Sequence, residues 1–173
     1  MPGLIGLLQP NSISSETTYA ENYRNICQEL ENRPRFQILH QSAHCGISLL
    51  ERDHGPETGQ PFTHDLGFCA LYGHCYDRRS GLPVTSEGFV KFWMEQGSSV
   101  LDHLEGAFHV AMLDFKSGVL RLINDRVGII PWYYHQSAEG FSFSPRLRYL
   151  SRKEQTWDPA PGAVVNFLSV GHY

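Results

Sequence analysis

The chain has 173 residues, 41% hydrophobic and 18% charged, with a formal net charge of −4. That length and composition fit one globular domain with a substantial core. The charge balance argues against nucleic acid or an anionic membrane surface as a partner, and the basic run in "SPRLRYLSRKE" reads as a solvated face. No apolar run approaches the ~20 residues that span a bilayer. "MPGLIGLLQP" lacks the basic start and length of a signal peptide, so a cytoplasmic location is expected. The four cysteines, Cys27, Cys45, Cys69 and Cys75, form no C-x-x-C pair and are expected to be reduced.

In chain order, "GLIGLL" predicts a short apolar strand. "SISSETTYAENYRNICQELENRP" predicts a helix over about residues 18–31: Ser14, Ser15 and Thr17 offer caps, Ala20, Tyr23, Ile26, Cys27 and Leu30 recur at helical spacing, and Pro34 lies beyond the end. Strands follow at "FQILH", "GISLL" and "GFCALY", the last two separated by the polar loop "ERDHGPETGQP". "SEGFVKFWMEQG" predicts a second helix with Phe89, Phe92 and Trp93 on one face and Gly97 as its stop. "FHVAMLDFKSGVLRLIND" predicts a hairpin turning at "FKSG", and "PWYYHQSAEGFSFS" another turning at "SAEG". Short helices are expected at 147–150 and 162–168. So many hairpins point to a layered α+β fold with mainly antiparallel sheets, in which the strands at 3–8, 67–72, 107–114 and 118–124 are central and the two longer helices pack outside.

The run "VLDHLEGAFHVAMLDFKSGVLRLINDRVGIIPWYYHQ" resembles the class II glutamine amidotransferase domain of asparagine synthetases. Leu104, Gly106, Phe108, Asp114, Asp125, Arg126, Gly128, Pro131, Tyr133 and Tyr134 match the family pattern in register. "FSPRLRYL", Gln60-Pro61 and the opening Met1-x-Gly3-x-x-Gly6 extend the match, and "GAVVNFLSVGHY" is similar to the helix that leads into the family's ATP-using synthetase domain. The resemblance implies an N-terminal-nucleophile hydrolase-like αββα sandwich of two mostly antiparallel sheets. It also implies a division into an amidotransferase-like domain over 1–160 and, from 161–173, the start of a segment toward a synthetase domain absent from this chain.

Active members of that family use a cysteine as the first residue of the mature chain. It attacks the side-chain amide of glutamine with the α-amino group as base, beside an oxyanion hole, an arginine for the substrate carboxylate and an acid for its ammonium. At the matching positions this chain departs from the pattern. The former nucleophile position is Pro2. The oxyanion run aligns with "YGHCYD", leaving Tyr72 for the side-chain donor and Gly73 for a backbone N–H. The substrate arginine falls near Leu49, with Arg52 three residues away and on the wrong strand parity. The acidic run falls on "VTSE", leaving Thr85 at the ammonium position and Glu87 beyond it. With no catalytic residue intact, "NDRVGIIPWYY" reads as scaffold: Asp125 and Arg126 tie a loop, Gly128 permits a turn and Trp132 to Tyr134 form a strand.

Three other constellations invite a chemical reading. His40, His44 and Cys45 with Cys69, His74 and Cys75 match no zinc-ligand spacing, so no metal and no cofactor are expected. His74 and Cys75 are strand neighbours on opposite faces and cannot form a thiol–imidazole pair. The Pro2 amine, a base in principle, has no partner visible in the sequence. The sequence therefore points to a catalytically inactive amidotransferase-like domain of, or partner to, an asparagine-synthetase-like ATP-dependent amide-forming enzyme. The alternatives are an active amidotransferase with atypical residues, or a binding module that uses the former glutamine pocket for another small ligand. The expected partner is the ATP-using domain or subunit, docked through an apolar surface including Trp157, Val165, Phe167 and Leu168, with a homodimer as a further possibility.

Overall fold

A computed structural model of the chain describes residues 3–9, 36–42, 44–50, 60–137 and 140–150. The predicted helix at 18–31, the segment at 162–168, the boundary near 160, Pro2 and the expected docking residues lie outside them.

Among the described residues, nine strands form two antiparallel sheets. The first contains β1 (Gly3–Leu8), β2 (Phe36–Gln41), β3 (Cys45–Leu50), β8 (Tyr133–Ser137) and β9 (Gly140–Ser144), in the order β2-β3-β1-β9-β8. The second contains β4 (Phe62–His64), β5 (Gly67–Asp77), β6 (Leu104–Asp114) and β7 (Leu120–Asn124), in the order β4-β5-β6-β7. Among the described residues, helix α1 (Ser86–Gln96) is followed by a 3-10 segment at Gly97–His103. The architecture is the α+β sandwich that the hairpin pattern predicts. One placement differs: residues 118–124 do not lie at the centre. They form edge strand β7, because the chain leaves this sheet at Asp125 and the next strand, β8, joins β9 in the other sheet.

The sequence of β5 and β6 explains the layers. Successive strand residues point to opposite faces. Cys69 and Leu71 of β5 and Phe108, Val110 and Met112 of β6 pack on one side against Phe89 and Val90 of α1 and against Val100. Phe68, Ala70 and Tyr72, with Ala111 and Leu113, pack on the other side against Leu4, Ile47, Leu49 and Phe143 of the first sheet. Both faces are covered, so both strands are almost continuously apolar, as expected for strands without a wet face. Within the first sheet, a Cβ on Gly6 would come 2.4 Å from the Phe143 ring, which lies across it.

The β4 side of β5 is completed by the approach to α1. Val84 N–H donates to the Cys75 carbonyl at 2.8 Å, and Asp77 N–H donates to the Leu82 carbonyl at 3.0 Å. The Leu71 N–H, past the end of β4, donates to Ser86 Oγ at 3.1 Å. Thr85 caps α1 by accepting from Gly88 N–H at 3.1 Å, and Gly97 closes the helix with a φ of 60°. Ser86→Ala should leave the buried Leu71 N–H without an acceptor and lower stability by about 1–3 kcal/mol. Urea unfolding of the two proteins at one pH measures the difference, and an unchanged midpoint would show that this bond does not anchor the helix.

Candidate functional site

The positions that the sequence singled out fall into three places. Leu49 and Tyr72 both lie in the core layer between the sheets, where they are 3% and 2% exposed. Leu49 on β3 is the register partner of Leu4 on β1, one residue from Gly3. Tyr72 on β5 is the register partner of His109 on β6.

Gly73, next to Tyr72, has a φ of 98°, and Gly106 across the ladder has a φ of 125°. A Cβ on Gly73 would lie 2.3 Å from the Ala107 carbonyl oxygen, and one on Gly106 would lie 2.0 Å from that of His74. The β5–β6 ladder is thus pinched at His74–Ala107, and both flanking positions require glycine for sterics as well as dihedral.

Thr85 and Glu87 are elsewhere. They sit at the exposed N-terminus of α1, which packs on the outer face of the second sheet. The Thr85 hydroxyl serves as the helix cap, and Glu87 pairs with Lys91 at 2.7 Å. No described contact joins either to Leu49 or Tyr72. Arg52 lies outside the described residues.

The run at Asn124–Tyr134 is built around Asp125, which is 3% exposed. Its carboxylate accepts from Val127 N–H and Ile129 N–H, each at 3.1 Å, and its carbonyl accepts from Gly128 N–H at 3.0 Å. Its own N–H donates to the Phe108 carbonyl at 3.1 Å, fastening the turn to β6. Arg126 is exposed, with Nη2 3.8 Å from Asp102 Oδ1, a weak surface pair. Pro131 follows the turn and leads into β8. Trp132 lies before that strand and packs inward, while Tyr133 and Tyr134 on the strand are largely exposed.

Trp132 leads to a residue that sequence reading passed over. His109 is fully buried on the inner face of β6, and its ring stacks on Trp132 with centroids 3.8 Å apart and planes 13° from parallel. Its Nε2 lies 2.8 Å from the Ile130 carbonyl oxygen. Burial pushes its pKa down to about 4, against smaller opposing effects of the Ile130 hydrogen bond and the Asp125 charge. The signal was present in "AFHVAML", where one imidazole interrupts an apolar run at an inward-facing position.

Thiol chemistry finds no support among the described residues. Cys45, Cys69 and Cys75 are free and buried, and burial raises each thiol pKa to about 12, far from a reactive thiolate. His74 is exposed while Cys75 is buried, so the two do face opposite sides of β5. Also among the described residues, no three His, Cys, Asp or Glu side chains gather as a metal-ligand set.

The glutamine amidotransferase domain family matches residues 83–172, just over half of the chain, and the protein belongs to that family. It is also 30% identical over 76 residues to asparagine synthetase [glutamine-hydrolyzing] 3 of Bacillus subtilis (strain 168). That match takes in 44% of this chain but 12% of the relative, so the alignment spans a small part of the larger protein.

His109 makes stability depend on pH. Its folded pKa lies below the unfolded value of about 6.5, so its neutral form stabilises the fold above that value. As pH falls from there toward 4, the unfolded state takes up the proton first. The loss should approach ~1.4 kcal/mol per pH unit and reach on the order of 3 kcal/mol. Comparing denaturation midpoints at several pH values, wild type against His109→Gln, isolates this contribution. Parallel pH profiles would show that the imidazole is not held neutral.

Proposed function

We propose that this is an amidotransferase-like domain that does not hydrolyse glutamine and that works with an asparagine-synthetase-like, ATP-using amide-forming domain or subunit in the cytoplasm. The observation that carries the reading is the state of Leu49 and Tyr72. At positions matched to a carboxylate clamp and an oxyanion donor, the chain holds an apolar and an aromatic side chain packed together in the core. Pro2 at the nucleophile position has no thiol to form an acyl intermediate, and Thr85 and Glu87 are engaged at the helix terminus. Kinship with a glutamine-hydrolysing asparagine synthetase supports the partner class. Among the described residues, no helix is long and apolar enough to cross a membrane.

Wild-type protein should release no ammonia from glutamine, and Pro2→Cys should not change that. A desolvated charge partner for the substrate contributes ~2–5 kcal/mol, roughly 30- to several-thousand-fold in binding, and Leu49 offers none. Loss of an oxyanion-hole donor at Tyr72 costs a further ~10²–10³ in rate. The two effects need not add, yet together they keep turnover near background. Ammonia release from both proteins is the measurement. Activity in the wild type would overturn the inactive reading. Turnover by Pro2→Cys approaching that of an ordinary asparagine synthetase would overturn the assignment of Leu49 and Tyr72 to the pocket.

A further inference from the structure

The second sheet ends at β7, and its hydrogen-bond pattern fixes which groups face outward. Asp125 N–H donates to the Phe108 carbonyl and Asp114 N–H to the Val119 carbonyl, so the bonds to β6 fall on the odd-numbered residues of this strand. The N–H and C=O groups of Leu120, Leu122 and Asn124 therefore point away from β6. Among the described residues, no strand lies beyond them and no group hydrogen-bonds to them. The other described edges are blunted: β4 has three residues, β2 is irregular between Ile38 and His40, and β8 ends in the polar run His135–Ser137. The "LRLIN" of β7 has no lysine, proline or bulge. Its one charge, Arg121, lies over the Trp93 ring, 5.9 Å from the centroid, on the face that α1 covers.

The surface around this edge narrows what covers it. Phe115 and Val119 stand at its start, 42% and 43% exposed, and Val127 and Ile129 stand just beyond its end, 80% and 59% exposed. Apolar surface at both ends of one strand suits an antiparallel partner that carries the same surface, because each start then meets an end. Backbone parity allows that pairing. With a two-fold axis at Leu122, Leu122 meets the second copy's Leu122 and Leu120 meets its Asn124, so every outward N–H and C=O group of the two strands finds a partner. Arg121 then lies beside the second copy's Ile123. Moving the axis to Arg121 would set like charges directly opposite each other. The charges at each end balance as well: Asp114 and Lys116, in the turn before β7, meet the second copy's Asp102 and Arg126, which pair beyond its end.

We propose that β7 is a dimer edge: two copies of this chain pair β7 with β7, antiparallel about Leu122, and join their four-stranded sheets into one continuous sheet. The pairing uses neither Leu49 nor Tyr72, so it holds whether or not the domain hydrolyses glutamine.

Sedimentation equilibrium over a range of concentrations measures the dimer, and amide hydrogen exchange read by NMR locates it. The expected result is a reversible dimer in which the Leu120, Leu122 and Asn124 amides exchange slowly, and faster as dilution yields monomer. Two variants test the register. Asn124→Pro removes an outward N–H and no bond to β6. Val127→Lys puts a charge at an exposed apolar position. Each should raise the dimer dissociation constant about tenfold or more, and circular dichroism of dilute samples checks that both keep the fold. A dimer without concentration-dependent protection at these three amides, or one that both variants leave intact, would overturn the proposal. A monomer at every concentration would overturn it too. The edge would then belong to a strand of another protein if the three amides exchange freely, or be covered by this chain itself if they are protected.

Discussion

The antiparallel pairing of β5 with β6 runs through eleven register pairs, from Gly67–Asp114 to Asp77–Leu104, and both strands are covered on both faces. A strand pair in that position must be apolar on alternate residues in both directions and can tolerate a polar group only where a partner is supplied. One face receives α1, anchored through Ser86 to the Leu71 N–H. The other receives the first sheet, with Leu49 and Phe143 closing over Tyr72 and Ala111. The pinch at Gly73 and Gly106 is part of the same ladder, so the segment matched to the oxyanion run is held by the pairing that organises the core.

Asp125 sits where the chain changes sheets. Its buried carboxylate gathers two N–H groups of the following turn, and its own N–H bonds back to β6. That turn presents the Ile130 carbonyl to His109 and delivers Trp132 onto the imidazole. The turn at Asp125 thus reaches into the interior, where the Ile130 carbonyl sets the tautomer of a buried histidine next to the start of β1.

A former catalytic pocket can lose function by losing charges or by being filled. Under the proposed function the two go together: Leu49 and Tyr72, buried at 3% and 2% exposure, contribute apolar packing between the sheets. Burial of apolar area at roughly 25 cal/mol per Å² favours such side chains in this layer. The cysteines fit this picture, since their raised thiol pKa values make them packing groups.

Local pattern was enough for most of the elements. Strand alternation, the apolar face of α1, the stop at Gly97 and the turn at "FKSG" act over a few residues and depend on backbone sterics and side-chain reach. The opposition of His74 and Cys75 was legible for the same reason. What could not be read are the relations between distant segments: that β7 is an edge because the chain crosses sheets at Asp125, that Ser86 accepts from Leu71, that Thr85 and Glu87 stand apart from Leu49 and Tyr72, and that His109 turns its lone pair toward Gly3. Each depends on which faces meet when two sheets stack. The one-dimensional pattern marks a face as apolar, but the partner of that face is chosen by the packing of the whole chain.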